Sequence, residues 1–258
     1  MKDKIAFHLR DKAFKFRKWI NRSFKIINRV LHSQFSNRIL TDTEIKNIPI
    51  IINNFNRLEC LLKLINRLEQ AGYTNILILD NHSTYPPLLA YYKTCPYSIH
   101  YLNENLGFLA LWKSTLYQDK FNNQFYVLTD PDVLPTDECP NDFMKHFYQI
   151  LLKYPQLDKI GFSLKIDDIP DHYDRKHQVQ EVESPYWKTC IQNTFYKAPI
   201  DTTFALYRPG TKGGFWLEAG RTTPPYTALH LPWYDNSENP NEESLYYRSQ
   251  AEYSKNWS

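Results

Sequence analysis

Asp130 and Asp132 stand on either side of Pro131, directly after the apolar run Phe125-Tyr126-Val127-Leu128. Two carboxylates at the point where a buried strand meets solvent can hold a divalent cation. Residues two apart on an extended chain point to the same side, so both acids would face one ion, roughly 6–7 Å apart along the backbone. Pro131 has no amide hydrogen, fixes its own φ and biases Asp130 toward an extended conformation, so regular pairing should stop there. Hard carboxylate oxygens suit Mg²⁺ or Mn²⁺ carrying a diphosphate, and open α/β sheets bind ligands beyond the carboxyl ends of their strands. An Asp-x-Asp standing alone also suits a solvated turn, so the surrounding elements must decide.

Upstream of the triplet the chain alternates between strand and helix patterns. Ile48 to Ile52 is a β-branched run that reads as a buried strand emerging at Asn53-Asn54 into a polar loop. Leu58, Leu61, Leu62, Ile65 and Leu68 lie on one face of a helix that ends near Gly72. Residues 75–79 form a second strand, ending in Asp80-Asn81-His82-Ser83-Thr84. This is a βαβ unit with polar groups at both strand ends. A helix over 87–92, a strand over 99–102, a helix over 109–118 and a strand over 124–129 lead to the acids. A helix around Phe143, Phe147, Ile150 and Leu151, then strands over 160–166 and 203–207, follow. Residues 167–200 read as loops, and the segment from Pro224 as an aromatic, turn-rich tail.

With 42 % hydrophobic and 23 % charged residues over 258 positions, the balance is that of one soluble domain with a sizeable core. Cys60, Cys95, Cys139 and Cys190 are far apart with no C-x-x-C pair, which argues against a zinc site or a disulfide framework and suits a reducing cytoplasm. No apolar run reaches the ~20 residues of a spanning helix, and the amino terminus has no signal-peptide pattern.

The charge is uneven. Residues 1–46 carry twelve Lys or Arg against four Asp or Glu, a local +8 that leaves the remainder at −5. Within residues 5–31, Phe16, Ile20, Phe24, Ile27 and Leu31 recur at helical spacing among Lys15, Arg17, Lys18, Arg22, Lys25 and Arg29. That pattern is a basic amphipathic helix suited to an anionic membrane surface, each near-surface cation contributing about 1 kcal/mol. The alternative is a helix docked on its own domain with a solvated basic face. The basicity stays in one arm without a recognition motif, so nucleic acid is not the expected partner.

Four segments stand in a telling order: Ile51-Ile52-Asn53-Asn54-Phe55-Asn56-Arg57, Leu79-Asp80-Asn81-His82-Ser83-Thr84, Asn105-Leu106-Gly107-Phe108 and Thr129-Asp130-Pro131-Asp132-Val133. Over about residues 48–135 they resemble the nucleotide-sugar-binding half of GT-A glycosyltransferases, family-2-like enzymes in particular. His230-Leu231-Pro232-Trp233-Tyr234 is similar to bacterial and viral surface-glycan transferases of that type. The resemblance implies an α/β, GT-A (Rossmann-like) fold with a mainly parallel central sheet flanked by helices. It divides the chain into a basic amphipathic segment (1–46), a nucleotide-sugar-binding half (47–135) and an acceptor-binding half with the tail (136–258).

Carried residue by residue, the resemblance assigns Asn53, Asn54 and Arg57 to the base, ribose or diphosphate, and Asp80 to the base or ribose. Asn105, Gly107 and Phe108 fall in the loop beside the nucleotide, where a glycine permits close backbone approach. Asn81-His82 departs from the Asp-Gly of many relatives, which leaves the base contact open. Asp130 and Asp132 match the Asp-x-Asp that holds Mn²⁺ or Mg²⁺ and through it the donor diphosphate, and His230 matches a third ligand. The catalytic base implied for an inverting reaction is Asp201 or Glu183, with Glu181 and Glu218 as further candidates. Trp187, Trp216, Trp233 and Tyr234 could stack on sugars, and Lys212 and Arg221 could neutralise diphosphate oxygens.

The implied activity is metal-dependent transfer of a sugar from a UDP- or dTDP-sugar to a hydroxyl of a surface glycan or lipid-linked oligosaccharide. The expected setting is cytoplasmic, peripheral on the inner membrane face. Two rivals are weighed beside it. A nucleotidyltransferase would begin with a Gly-rich basic phosphate loop, and residues 48–57 contain no glycine. A non-catalytic sugar-binding or scaffold protein would not require Asp130, Asp132 and His230 together.

Overall fold

The structure, a computed structural model, is described for residues 39–201, 203–213 and 217–250, together with Ser23, Phe24, Ile26, Ile27 and Arg29. Most of the basic amphipathic segment expected over 5–31, and Trp216, lie outside the described residues. Of that segment, Phe24 (63 % exposed) and Ile27 face solvent, while Arg29 binds Pro155 O, Leu157 O and the Asp158 carboxylate.

Helix α1 (Asp42–Lys46) opens with a capping box in which Thr41 and Glu44 satisfy each other's backbone amides. Strand β1 (Ile50–Asn54) is buried along its whole length, as the isoleucine run requires of a strand covered on both faces. The polar loop expected at Asn53-Asn54 is therefore a continuation of the strand. Helix α2 (Glu59–Gln70) buries Leu61, Leu64, Ile65 and Leu68, and Leu62 is exposed. Strand β2 (Ile76–Asp80), helix α3 (Pro86–Tyr92) and strand β3 (Ser98–Tyr101) follow. The helix expected over 109–118 is broken: α4 (Ala110–Lys113) ends at Ser114, whose ψ of 162° is extended, and a separate turn of π-helix spans Tyr117–Phe121.

Strand β4 (Tyr126–Thr129) delivers the acids, and β5 (Val133–Pro135) follows at once. Helix α5 (Phe143–Lys153) is as its apolar spacing predicts. The single strand expected over 160–166 divides at Phe162 into β6 (Lys159–Gly161) and β7 (Ser163–Leu164), which belong to different sheets. Residues 167–200 are not all loop. Helix α6 (Lys176–Glu183) buries Val179, and β8 (Cys190–Ile191) and β9 (Phe195–Tyr196) make a hairpin with Gln192 and Asn193 at positive φ. Strands β10 (Ala205–Tyr207), β11 (Ala219–Thr222) and β12 (Thr227–His230) precede a last helix, α7 (Glu242–Gln250), which the sequence reading left as tail.

Among the described residues nine strands form one sheet in the order β3-β2-β1-β4-β10-β6-β11-β9-β8, and β5-β12-β7 form a small second one. Strands β1 to β4 are mutually parallel; β10 and β9 alone oppose the rest of the large sheet. This is the α/β architecture with a mainly parallel central sheet that the sequence implies. Its two faces are filled separately, since successive strand residues alternate. Ile50 and Ile52 join α2 and α5 residues in one apolar cluster, and Ile51, Leu79 and Leu128 join Leu111, Leu116 and Tyr117 in the other. Gly161 permits the close β6–β10 approach, because a Cβ there would meet Phe204 O at 2.3 Å.

Candidate active site

Parallel pairing of β1, β2 and β4 brings Asn53-Asn54, Asp80-Asn81 and Asp130 to one edge of the sheet. Strand β10 runs antiparallel to β4, so its amino end lies beside the same edge. The small sheet completes the arrangement. Val133 pairs with His230, and Leu231 N donates to Asp132 O at 2.8 Å, which holds the two side chains together.

His230 Nε2 stands 3.8 Å from Asp132 Oδ2. That is too long for a hydrogen bond. It fits two ligands of one ion, which at bond lengths of about 2.1 Å can be at most about 4.2 Å apart. Burial pushes the His230 proton affinity below the usual histidine range and Arg57 adds to this, while Asp132 opposes it. The imidazole is thus held in the neutral form that binds metals. Among the described residues its buried Nδ1 has no partner, and the ring packs 4.7 Å from that of Trp233.

Asp130 is placed differently from the extended-chain expectation. The backbone turns at residues 131–132 instead of running on extended. The charge of Asp130 is felt instead at Tyr207, where burial first, then Asp201 and then Asp130 raise the phenol's proton affinity. Among the described residues no three His, Cys, Asp or Glu side chains stand at metal-holding spacing. Asp132 and His230 could serve as two ligands of a divalent ion.

The loops at the ends of β1 and β2 are clipped together by amide side chains. Asn81 accepts from Leu106 N (2.8 Å) and donates to Gly107 O (3.1 Å), and Asn105 accepts from Gly107 N (2.9 Å). Gly107 has φ 70°, which L side chains adopt only with strain. Asn81 is therefore the tie between β2 and this loop. Asn56, itself at φ 54°, accepts from Thr84 N and Tyr85 N. Asn53 Nδ2 reaches Gly107 O at 3.5 Å, and among the described residues its buried Oδ1 has no partner. Phe108 next to it is exposed.

Three expected nucleotide contacts are turned inward. Asp80 is 2 % exposed, with Oδ1 accepting from the Tyr92 hydroxyl (3.0 Å) and Oδ2 from Ser83 N (3.1 Å). Asn54 donates to the same hydroxyl at 2.9 Å. Burial and the Asp80 carboxylate accordingly raise the Tyr92 proton affinity. Arg57 is buried under α7, its guanidinium carbon 3.8 Å from the centre of the Tyr247 ring and Nη1 3.5 Å from Ser244 Oγ.

Helix α7 also supplies a residue that sequence reasoning missed. Glu243 Oε2 accepts from Leu58 N (2.6 Å) and Glu59 N (2.7 Å), capping α2, whose own N-cap position is a leucine with no side chain to offer. Burial raises the Glu243 proton affinity, and the two amides and Arg57 oppose it. Tyr246 packs on Tyr85 and donates to Thr84 Oγ1. The signal for α7 was present in Asn241, which caps it by accepting from Ser244 N, followed by Glu242 and Glu243 in the first turn.

In the second half, Glu183 ends α6 in an ion pair with Arg221 at 2.6 Å. Both are largely buried, so removing either partner would cost about 3–5 kcal/mol. Arg221 is thereby committed to the protein rather than open to a diphosphate, and Glu183 is committed to Arg221. Asp201 is exposed and precedes β10 by four positions instead of opening it. Glu181 is exposed; Glu218 is half-buried, and its amide donates to Asp158. Trp233 is a core residue, Tyr234 donates to Asp168 at 2.6 Å, and Trp187 packs on Tyr196. Lys212 lies over the Tyr117 ring. Lys159, which the sequence reading did not single out, is buried beside the Asp201 backbone.

No protein-family model matches the sequence, and neither does any curated protein. Solved structures of similar chain path include a mannosyltransferase from Pyrobaculum calidifontis in complex with GDP-Man and Mn²⁺. It is 14 % identical, with a TM-score of 0.44 over 72 % of this chain and 56 % of that one. Glucosyl-3-phosphoglycerate synthase from Mycobacterium tuberculosis in complex with phosphoglyceric acid is 13 % identical, with a TM-score of 0.41 over 66 % of this chain and 62 % of that one. The same enzyme with Mn²⁺ and UDP-glucose gives 14 % and 0.39, over 66 % and 61 %. The chain thus spans less than two thirds of the length of these structures.

Proposed function

We propose that this chain is a metal-dependent glycosyltransferase that moves a sugar from a nucleotide-sugar donor, a UDP- or dTDP-sugar, to a hydroxyl of a surface glycan or lipid-linked oligosaccharide. The observation that carries the reading is the meeting of Asp132 and His230 at 3.8 Å, at the strand edge where Asn53 and the 105–108 loop converge. Asn53 Oδ1, the backbone around Gly107 and the exposed Phe108 ring offer a hydrogen-bond acceptor and a flat surface to a nucleoside. Asp132 and His230, with Asp130 alongside, would hold Mn²⁺ or Mg²⁺. A divalent cation bound there neutralises the charge that develops on a departing nucleoside diphosphate.

Asp201 takes the proton of the acceptor hydroxyl. It is favoured over Glu183 because its carboxylate is exposed while that of Glu183 is bound to Arg221. Tyr207 feels the charges of both Asp201 and Asp130, which ties the base to the acidic motif. The basic amino-terminal segment would keep the enzyme on an anionic membrane face, beside a lipid-linked acceptor. Among the described residues no helix is long and apolar enough to cross a membrane.

The test is thermal stability against UDP-, dTDP-, GDP- and CMP-sugars, each with and without Mn²⁺, because a ligand bound only by the folded state raises its Tm. A metal-requiring shift with UDP- or dTDP-sugars is expected. Folded protein that responds to none of these donors would sink the reading.

A further inference from the structure

Three consecutive carbonyls, those of Pro199, Ile200 and Asp201, are each taken by a buried basic side chain. Lys159 Nζ donates to Ile200 O (2.7 Å), Asp201 O (3.1 Å) and the Tyr207 hydroxyl (3.0 Å). Arg221 Nε donates to Pro199 O (2.8 Å), its Nη1 pairs with Glu183, and its guanidinium carbon lies 4.4 Å from the centre of the Tyr186 ring. Lys159 and Arg221 are 3 % and 4 % exposed.

Both project from one face of the large sheet. Ala219 pairs with Lys159 and Arg221 with Gly161, so the two basic residues lie on adjacent parallel strands, two positions apart, on the same side. Residues 199–201 cross over that face, and Ile200 already packs in the apolar cluster there. Burying basic groups is costly, and an apolar contact alone would tie the segment down. What the two side chains add is direction. Hydrogen bonds to successive carbonyls fix the peptide planes, and so the direction in which the Asp201 side chain leaves the backbone.

We infer that Lys159 and Arg221 are positioning residues for the acceptor step: together they clamp residues 199–201 and hold the Asp201 carboxylate in a single orientation. Neither touches substrate; each acts through the backbone of the base. The inference rests on the reading of Asp201 given above.

The experiment compares the full chain with Lys159→Met, Arg221→Lys and Asp201→Asn by hydrogen exchange and by steady-state release of nucleoside diphosphate. The probes are UDP-glucose, dTDP-glucose and GDP-mannose, with Mn²⁺. In Lys159→Met, exchange over residues 198–204 should quicken about tenfold, with β1 and α2 unchanged. Its kcat should fall by about tenfold or more at an unchanged donor KM, since a small misplacement of a reacting group costs rate rather than binding. Arg221→Lys, which keeps the charge but loses the planar fork, should shift both readouts the same way and decides the matter if Lys159→Met does not fold.

Unchanged exchange overturns the clamp. Faster exchange at unchanged kcat reduces it to a structural tether and overturns the positioning role. Full turnover in Asp201→Asn instead refutes the base assignment, and absence of turnover in the wild-type protein refutes the functional reading; exchange alone then decides whether the clamp exists.

Discussion

His230 Nε2 lies 3.8 Å from Asp132 Oδ2, and the two residues are held there by the ladder between β5 and β12. Neither side chain is locked to the other by a direct hydrogen bond, and burial disfavours the protonated imidazole, an arrangement in which both could share an ion. Asp132→Ala and His230→Ala should each weaken Mn²⁺ binding, read by calorimetric titration, by more than the roughly 10–100-fold that loss of an outer-shell partner costs. Circular dichroism should be unchanged. Wild-type Mn²⁺ affinity in both variants would remove the pair from the metal site.

Glu243 holds two part-buried amides at the start of α2. Its replacement by alanine leaves that helix end without a cap, at a cost of about 0.5–2 kcal/mol. Glu243→Gln keeps an acceptor oxygen and should lose less. Urea unfolding of the two variants checks the order; equal losses would mean that the charge, not the hydrogen bonds, carries the contact.

Burial, with Arg221 adding to it, pushes Lys159 down to about 7 from 10.5, against the pull of Asp201 and Asp158. Between those values the unfolded chain binds the proton and the folded one has released it, so this residue's contribution to stability rises with pH. The stability difference between wild type and Lys159→Met should therefore grow from about pH 7 to pH 10, with a slope of up to ~1.4 kcal/mol per unit. It should level off below pH 7, where both states are protonated. A difference independent of pH would show that Lys159 titrates normally.

Gly107 sits at φ 70° with open space where a Cβ would be. Gly107→Ala should thus cost only the left-handed backbone penalty, about 1–2 kcal/mol, with no clash. Since Asn53, Asn81 and Asn105 all bond to this residue's backbone, the variant should also reduce the Tm shift that a nucleotide-sugar produces. An unchanged donor response would take the 105–108 loop out of the site.

The first half of the fold was legible because its signals are local. Ile50-Ile51-Ile52 and the Leu61-to-Leu68 stripe each specify their element within a few residues, and the order of elements then specifies a parallel sheet. What escaped was set by distant contacts. The division of the 160–166 strand at Phe162 and the burial of Arg57 depend on partners far along the chain. Helix α7 was hidden for another reason: Tyr246 and Tyr247 spend their apolar surface on Tyr85 and Arg57 rather than forming a continuous stripe. For the site, residue types could nominate Asp132 and His230, but only the β5–β12 register brings them together. Lys159 and Glu243 gave no sign, because a lysine in a short strand and a glutamate in a polar tail look like surface residues.

Asp132 and His230 are 98 positions apart in the sequence, yet the pairing of Val133 with His230 in the small sheet makes them neighbours. Closing so long a loop around an ion would carry an entropic cost of (3/2)RT ln n plus a constant in a flexible chain. Here folding has already met that cost, and a cation arriving at the proposed pair would find both side chains in place. The same strand continuity runs on through Phe162, where one backbone segment leaves the large sheet as β6 and enters the small one as β7 beside β12. Strain in the strands of the second half would therefore reach the proposed Asp132–His230 pair, and Mn²⁺ affinity, where the pair binds it, would report on the integrity of that half.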